Sequence, residues 1–182
     1  MNTNSSAVDS SLVKERKIGS FNVDSVTNAP LQIEVSLKLN ISQEAAFKLV
    51  FNDLESWFKE IQGVKWDNSN STDGLDKPGL NSFRACGFGG KKLYENIVFY
   101  EYPNAYGYVV DMKKSTASFP VKDPLGVFLV ESKGSNECIL TWRQYFNKKL
   151  HPAALIINFM VKNVLMKKNL KTLINKYGGG FV

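Results

Sequence analysis

The stretch from Pro152 to Tyr177, PAALIINFMVKNVLMKKNLKTLINKY, runs 26 residues without an internal glycine or proline and stops at Gly178-Gly179-Gly180. A proline at the first position and glycines beyond the last are the asymmetry of a helix. On a helical wheel Leu155, Phe159, Met166, Leu170, Leu173 and Tyr177 share one face. At about 1.5 Å per residue such a helix spans roughly 39 Å, enough to cross a small domain. A curved sheet made by nearly everything upstream is therefore expected to wrap this helix and leave a cavity between them. The two halves differ. The second keeps Lys168, Lys171, Asn175 and Lys176 off the apolar stripe. The first carries Ile157, Met160, Val161, Val164 and Leu165 on sides that a sheet alone does not cover. The N-terminal arm, a second subunit or a membrane surface would have to bury them, and a homodimer contact through this half is preferred.

The upstream chain supplies the sheet. Leu31 to Asn40, LQIEVSLKLN, alternates apolar and polar residues, the mark of a half-buried strand. Ser42 is placed to cap a following helix whose buried side carries Ala45, Ala46, Leu49 and Val50. A second short helix around Leu54 to Glu60 brings Trp57 and Phe58, and residues 67–80 are a polar loop. Gly89-Gly90 is a two-residue hairpin signal that sets Arg84 opposite Glu95 and Cys86 opposite Leu93. Gly134-Ser135 gives a second hairpin, pairing Leu129 with Leu140 and Val127 with Trp142. A two-residue turn at Pro103-Asn104 would pair Ile97 with Val110 and Phe99 with Tyr108. One face of this meander then carries Arg84, Cys86, Leu93, Glu95, Ile97, Phe99, Tyr108, Val110 and Met112. The order of a strand, two short helices, about six antiparallel strands and a long helix is an α+β solution and not a doubly wound one. Residues 1–20, polar and then charged, read as a flexible arm. Phe21 to Val26 offers an edge strand. Residues 21–178 form one domain, and 179–182 a tail.

Composition narrows the partners. The chain has 182 residues, 43% of them hydrophobic and 12% aromatic, with a formal net charge of +6. Its lysines are spread along the chain, as on a solvated surface, so nucleic acid is not expected as a partner. Cys86, Cys138 and the single His151 have no metal-ligand spacing, and free thiols are expected with no metal and no cofactor. No basic start followed by an apolar run opens the chain, and a cytoplasmic protein is expected.

Several stretches, in order, resemble the SRPBCC superfamily, the helix-grip proteins that include START and polyketide cyclase/dehydrase-like domains. The likeness covers about Leu31 to Tyr177. It is carried by IEVSLKLNISQEAAFKLVFNDLESWF, by PGLNSFRACGFGGKKLYENIVFYEYPNAYGYVV and by ECILTWRQYF. The resemblance implies a curved antiparallel β-sheet around a long C-terminal helix, with two short helices after the first strand and a pocket between sheet and helix. It does not fix an activity, because one fold hosts many.

Arg84 and Glu95 are cross-strand neighbours by the hairpin register, and the resemblance marks the same two positions. They read first as an ion pair worth about 0.2–1 kcal/mol to the hairpin. The alternative is a polar anchor within an apolar cavity. Trp142 and Gln144 share a strand face, and Phe159 and Met166 look toward the sheet from the long helix. With Phe99, Tyr108 and Val110 they form the expected ligand wall. Lys162 flanks the helix stripe, and its stem more naturally carries its charge to water. Phe119, in the Lys114–Pro124 segment, is the candidate for an apolar lid. His151 reads as a helix-entry residue. A small hydrophobic ligand, whether lipid, polyketide or aromatic compound, is the expected partner. A cyclase-like enzyme using Arg84, Glu95 or Tyr108 comes second, and lipid-surface binding through the late helix's lysines, not favoured, comes third.

Overall fold

The computed structural model describes residues 16–150 and 156–182. His151, Pro152 and Leu155, and with them the expected start of the long helix, lie outside the described residues. The first strands, β1 (Lys17–Ile18) and β2 (Phe21–Asn22), pair only with each other. A 3₁₀ turn, Val23–Ser25, leads on to β3 (Leu31–Leu39), where Ile33, Val35, Leu37 and Leu39 are buried as the alternation predicts. Helix α1 (Gln43–Phe51) starts on Ser42, whose hydroxyl accepts from the Ala45 amide at 3.2 Å. Its buried side carries Ala46, Phe47, Val50 and Phe51, so Phe47 and Phe51 replace the expected Ala45 and Leu49. The larger rings take the inward positions. The second helix is a single 3₁₀ turn, Leu54–Ser56.

There follow β4 (Ile61–Asp67), β5 (Phe83–Phe88), β6 (Lys91–Glu101), β7 (Ala105–Val110), β8 (Val121–Gly134) and β9 (Glu137–Lys148). Helix α2 comes next, continuous over 21 residues in three segments: Ile157–Phe159, Met160–Lys167 and Lys168–Tyr177. Gly178, at φ 75°, ends α2 with its amide on the Ile174 carbonyl at 2.8 Å, and β10 (Gly179–Phe181) follows. The main sheet is antiparallel, eight strands in the order β10-β3-β9-β8-β7-β6-β5-β4, with α2 against it. This is the α+β helix-grip architecture. Residues 179–181, expected as a tail, instead pair with Leu37–Leu39 and cover the free edge of β3.

Register separates what the turns alone could fix. Gly89 and Gly90, at φ 54° and 78°, make the two-residue hairpin turn, and Arg84 faces Glu95 and Cys86 faces Leu93 as expected. The β6–β7 connection takes three residues, Tyr102 to Asn104, and a bulge at Val98 shifts the register, so Ile97 faces Tyr108 and Phe99 faces Gly107. In the β8–β9 hairpin the turn residues are Ser135-Asn136 and a bulge falls at Lys133, so Val130 faces Leu140 and Val127 faces Arg143. An extra residue in one strand turns every later side chain to the opposite face. Phe99 is the casualty. It lies on the convex face of the sheet, stacked on Phe21 at 4.5 Å between ring centroids.

That convex face holds a second core. Ile18, Phe21, Val23 and Ala29 pack on Phe99, Leu125, Val127 and Tyr145. Arg16 secures the segment, donating to the carbonyls of Thr27 at 2.8 Å and Ala29 at 3.2 Å and pairing with Asp24. Residues 17–20, assigned from sequence to the arm, therefore belong to the domain. Phe21 and Asn22 pair within this small hairpin and not on the edge of the main sheet, because apolar side chains on both of its strands need the convex face.

Helix α2 is tied down at its middle. Asn169, fully buried, accepts from the Lys59 amide at 3.1 Å and donates to Glu60 at 2.7 Å and to the Leu165 carbonyl at 2.9 Å. Lys168 reaches the other Glu60 oxygen at 3.0 Å. Burial would raise the Glu60 pKa, but the bonds from Lys168 and Asn169 outweigh it and hold the carboxyl below its ordinary value. Among the described residues no helix is long and apolar enough to cross a membrane.

Candidate ligand-binding site

Between the concave face of the sheet and α2 lies a cavity of about 110 Å³. Its floor is aromatic. Phe128 and Trp142 face each other across β8 and β9 and stack at 4.7 Å, with Tyr106 on the other side of Phe128 at 5.3 Å. Its roof is Ile157, Val161 and Leu165 of α2, and Phe119 closes one end against Phe88. The segment leading to Phe119 is stitched to β6, since Thr116 and Ser115 accept from the amides of Lys92 and Tyr94 at 2.8 and 3.0 Å.

Of the side chains expected in the wall, Arg84, Glu95, Tyr108, Val110, Phe119, Trp142 and Gln144 are brought together here. Phe99 is not, for the bulge given above. Met166 is buried in the core below the cavity and does not line it. Phe159 points away, 63% exposed, and Lys162 is exposed. The reason lies in the middle segment of α2. Met160–Lys167 has π-helical hydrogen bonding, i→i+5, which takes more residues per turn than an α-helix. A wheel drawn at α-helical spacing therefore loses phase across it. The face holding Phe159 rotates outward, and Ile157, Val161 and Leu165 rotate in. Three of the residues for which an external cover was expected are thus cavity roof. Met160 and Val164 remain uncovered, 43% and 46% exposed.

The polar end of the cavity is built on the end of α1. The last carbonyls of a helix have no partners within it. Here Trp57 donates to the Leu49 carbonyl at 3.0 Å, Tyr106 to Val50 at 2.5 Å and Arg84 Nη1 to Phe51 at 3.3 Å. A cation at this negative end of the helix dipole is stabilised. Arg84 also places Nε and Nη2 on the same Glu95 oxygen, Oε2, each at 2.7 Å. Its guanidinium lies 5.2, 6.0 and 5.5 Å from the ring centroids of Trp66, Tyr106 and Tyr108. Burial by itself would disfavour the Arg84 charge, but Glu95 overcomes it and holds the pKa above the ordinary arginine value. Arg84 is therefore a helix cap as much as a pocket residue, and far from the exposed pair that the hairpin alone suggests.

Tyr108, Gly126 and Gln144 lie in one row across β7, β8 and β9. Gln144 Nε2 donates to the Tyr108 hydroxyl at 3.0 Å, passing over the glycine between them. Burial first, then Glu95, push the Tyr108 hydroxyl above its ordinary pKa, so it stays protonated. Burial and then Glu95 likewise push the Cys86 thiol up to about 12, which removes it as a nucleophile near neutral pH. The indole N–H of Trp142 has no hydrogen-bond partner among the described residues. Arg84 and Tyr108 are both pushed toward their protonated forms, so neither is set up to act as a base near neutral pH. Sequence reasoning missed the Gly126 row, although an isolated glycine inside a strand is a signal of close approach.

No protein-family model and no curated protein matches the chain by sequence. Solved structures do match by shape. A START superfamily protein from Mycobacterium smegmatis superposes with a TM-score of 0.63 at 12% identity, covering 80% of this chain and 95% of that one. The protein XoxI from Bacillus cereus gives 0.60 at 21% identity, over 80% and 94%. The di-domain ARO/CYC BexL from the BE-7585A biosynthetic pathway gives 0.60 at 13% identity, over 78% of this chain and 44% of that one. The fold is that of the SRPBCC-like helix-grip proteins, as the resemblance implied. At these identities the likeness extends to the fold alone.

Proposed function

We propose that this protein binds a small, largely apolar molecule in the cavity under α2. The observation that carries this reading is a cavity with an aromatic floor, an aliphatic roof and four polar side chains gathered toward one end. The likeness in fold to a START superfamily protein and to a di-domain ARO/CYC supports it. Size narrows the ligand. Dry cavities of about 150 Å³ accept a single benzene ring, so about 110 Å³ suits one small ring or a short chain and not a polyketide unless α2 moves. Cyclase-like chemistry ranks lower, because Glu95 is tied to Arg84 through Oε2 and burial keeps the Tyr108 hydroxyl and the Cys86 thiol protonated, so neither is activated as a nucleophile.

Native mass spectrometry of the gently purified protein should reveal a small noncovalent adduct that disappears on unfolding. Xenon, which enters dry apolar cavities, should shift the methyl resonances of Val110, Val121 and Leu165. A protein without adduct whose methyls ignore xenon would remove the reading.

One surface feature favours a second role. Ile156, Phe159, Met160 and Val164 are all at least 43% exposed on the outer side of the helix that roofs the cavity. From Lys149 to Val182 the chain has six lysines and no aspartate or glutamate. An apolar strip flanked by lysines suits an anionic lipid surface, and the same lysines oppose the self-association first expected of this face. Flotation with vesicles containing phosphatidylglycerol should recover the protein at low salt and lose it at high salt. Equal recovery with neutral vesicles, or none with either, argues against it.

A further inference from the structure

The polar groups at the cavity are not equivalent, and their bonding states which ligand group each has left to offer. Arg84 has little. Nε and Nη2 are both on Glu95 Oε2, Nη1 is on the Phe51 carbonyl, and aromatic rings stand within 6.0 Å of its guanidinium. Glu95 is the reverse case. Both arginine bonds fall on Oε2, and Oε1 receives no hydrogen bond from the described residues. Tyr108 accepts from Gln144 and has its own O–H left to donate. The Trp142 indole N–H also lacks a partner among the described residues but is itself enclosed, so the set open to a ligand is a charged acceptor and a neutral donor in an otherwise apolar space.

A carboxylate ligand does not fit this set, because the one buried cation is already matched and a second anion would face Glu95. A hydrocarbon fits the walls but leaves both groups unanswered, and a buried polar atom without a partner is costly. A hydroxyl fits, since one oxygen both donates and accepts. We propose that the cavity selects an uncharged single-ring compound bearing a hydroxyl, of the phenol or benzylic alcohol class. Its O–H would donate to Glu95 Oε1 and its oxygen would accept from Tyr108. This assignment rests on the ligand-binding reading above and adds the polar chemistry to it.

Three probes of matched shape test it on the intact chain: para-cresol, toluene and para-toluate, each titrated while amide and methyl resonances are followed by NMR. Para-cresol should shift Glu95, Tyr108 and Gln144 and bind at least about tenfold tighter than toluene, the worth of one hydrogen bond to a charged group. Para-toluate should bind at least about tenfold more weakly than para-cresol. Tyr108→Phe, which keeps the ring over Gly126, should narrow the cresol-to-toluene ratio by about threefold or more. Toluene binding as tightly as para-cresol would leave the apolar cavity intact as a site and overturn the hydroxyl assignment. So would para-toluate binding as tightly as para-cresol, or a ratio unmoved by Tyr108→Phe. No cavity shift with any probe would remove both this proposal and the reading beneath it.

Discussion

Arg84→Ala is expected to cost about 3–5 kcal/mol of folding stability, the loss seen when one partner of a buried ion pair is removed. Arg84 is 2% exposed and Glu95 5%. Removing the guanidinium strands the Glu95 carboxylate in an apolar wall and also uncaps the Phe51 carbonyl at the end of α1. Against a usual total of about 5–15 kcal/mol, such a loss leaves a marginal domain. Taking away both charges is a different experiment. Arg84→Met combined with Glu95→Leu keeps the volume filled and strands no charge, and should recover most of the loss. Urea unfolding at unchanged m-value measures both. A single-variant loss below about 1 kcal/mol, the range of an exposed pair, would mean that water reaches the site.

Gly126→Ala should destabilise by about 1–3 kcal/mol, the usual cost of overpacking a filled interior, and should abolish ligand binding as well. A Cβ on Gly126 would stand 2.2 Å from Tyr108 Cζ and 2.4 Å from its hydroxyl oxygen. The ring cannot retreat toward the floor, where Tyr106 and Phe128 lie 6.1 and 6.4 Å away between centroids. Its free direction is the cavity itself. Moving there breaks the bond from Gln144 and fills the space the ligand needs. If that clash is the cause, Tyr108→Ala should relieve it, and the double variant should be more stable than the sum of the singles by at least about 1 kcal/mol. Additive losses would place the fault elsewhere.

Sequence alone went furthest where one local signal decided a geometry. Two glycines at a turn fixed Arg84 against Glu95, and alternation in Leu31–Leu39 fixed a buried face. It failed where an extra residue changed the phase. A bulge has no strong residue signature, so Val98 and Lys133 passed as ordinary strand; the first carried Phe99 to the other side and the second moved the β8–β9 pairing out of the expected register. The π-helical turns in α2 are the helical form of the same error, exchanging Phe159 for Val161. Strand β4 was missed because its alternation, Ile61 and then Val64 and Trp66, changes phase at Gly63, whose φ is 61°. Strand β10, Gly-Gly-Phe, has no intrinsic preference for extension and exists because β3 offers an open edge. Within the site, burial was the hidden quantity. Cross-strand position says who faces whom, while the value of a charge pair depends on the water around it, which α1, Trp66 and Tyr106 exclude from Arg84.

The second core on the convex side of the sheet bears on how the hollow on the other side survives. A single sheet with solvent behind it relieves a void by flexing inward until the gap closes. Here Phe21, Val23 and their neighbours press on Phe99, Leu125 and Val127 from behind. The sheet is a laminate with a stiff backing, and bending it to fill the void would tear contacts on its reverse. Compliance is left to the opposite wall, where α2 meets the cavity through π-helical turns and has an exposed outer surface. Any change in the size of the chamber should therefore appear as motion of Ile157–Leu165, with β6 to β9 almost still.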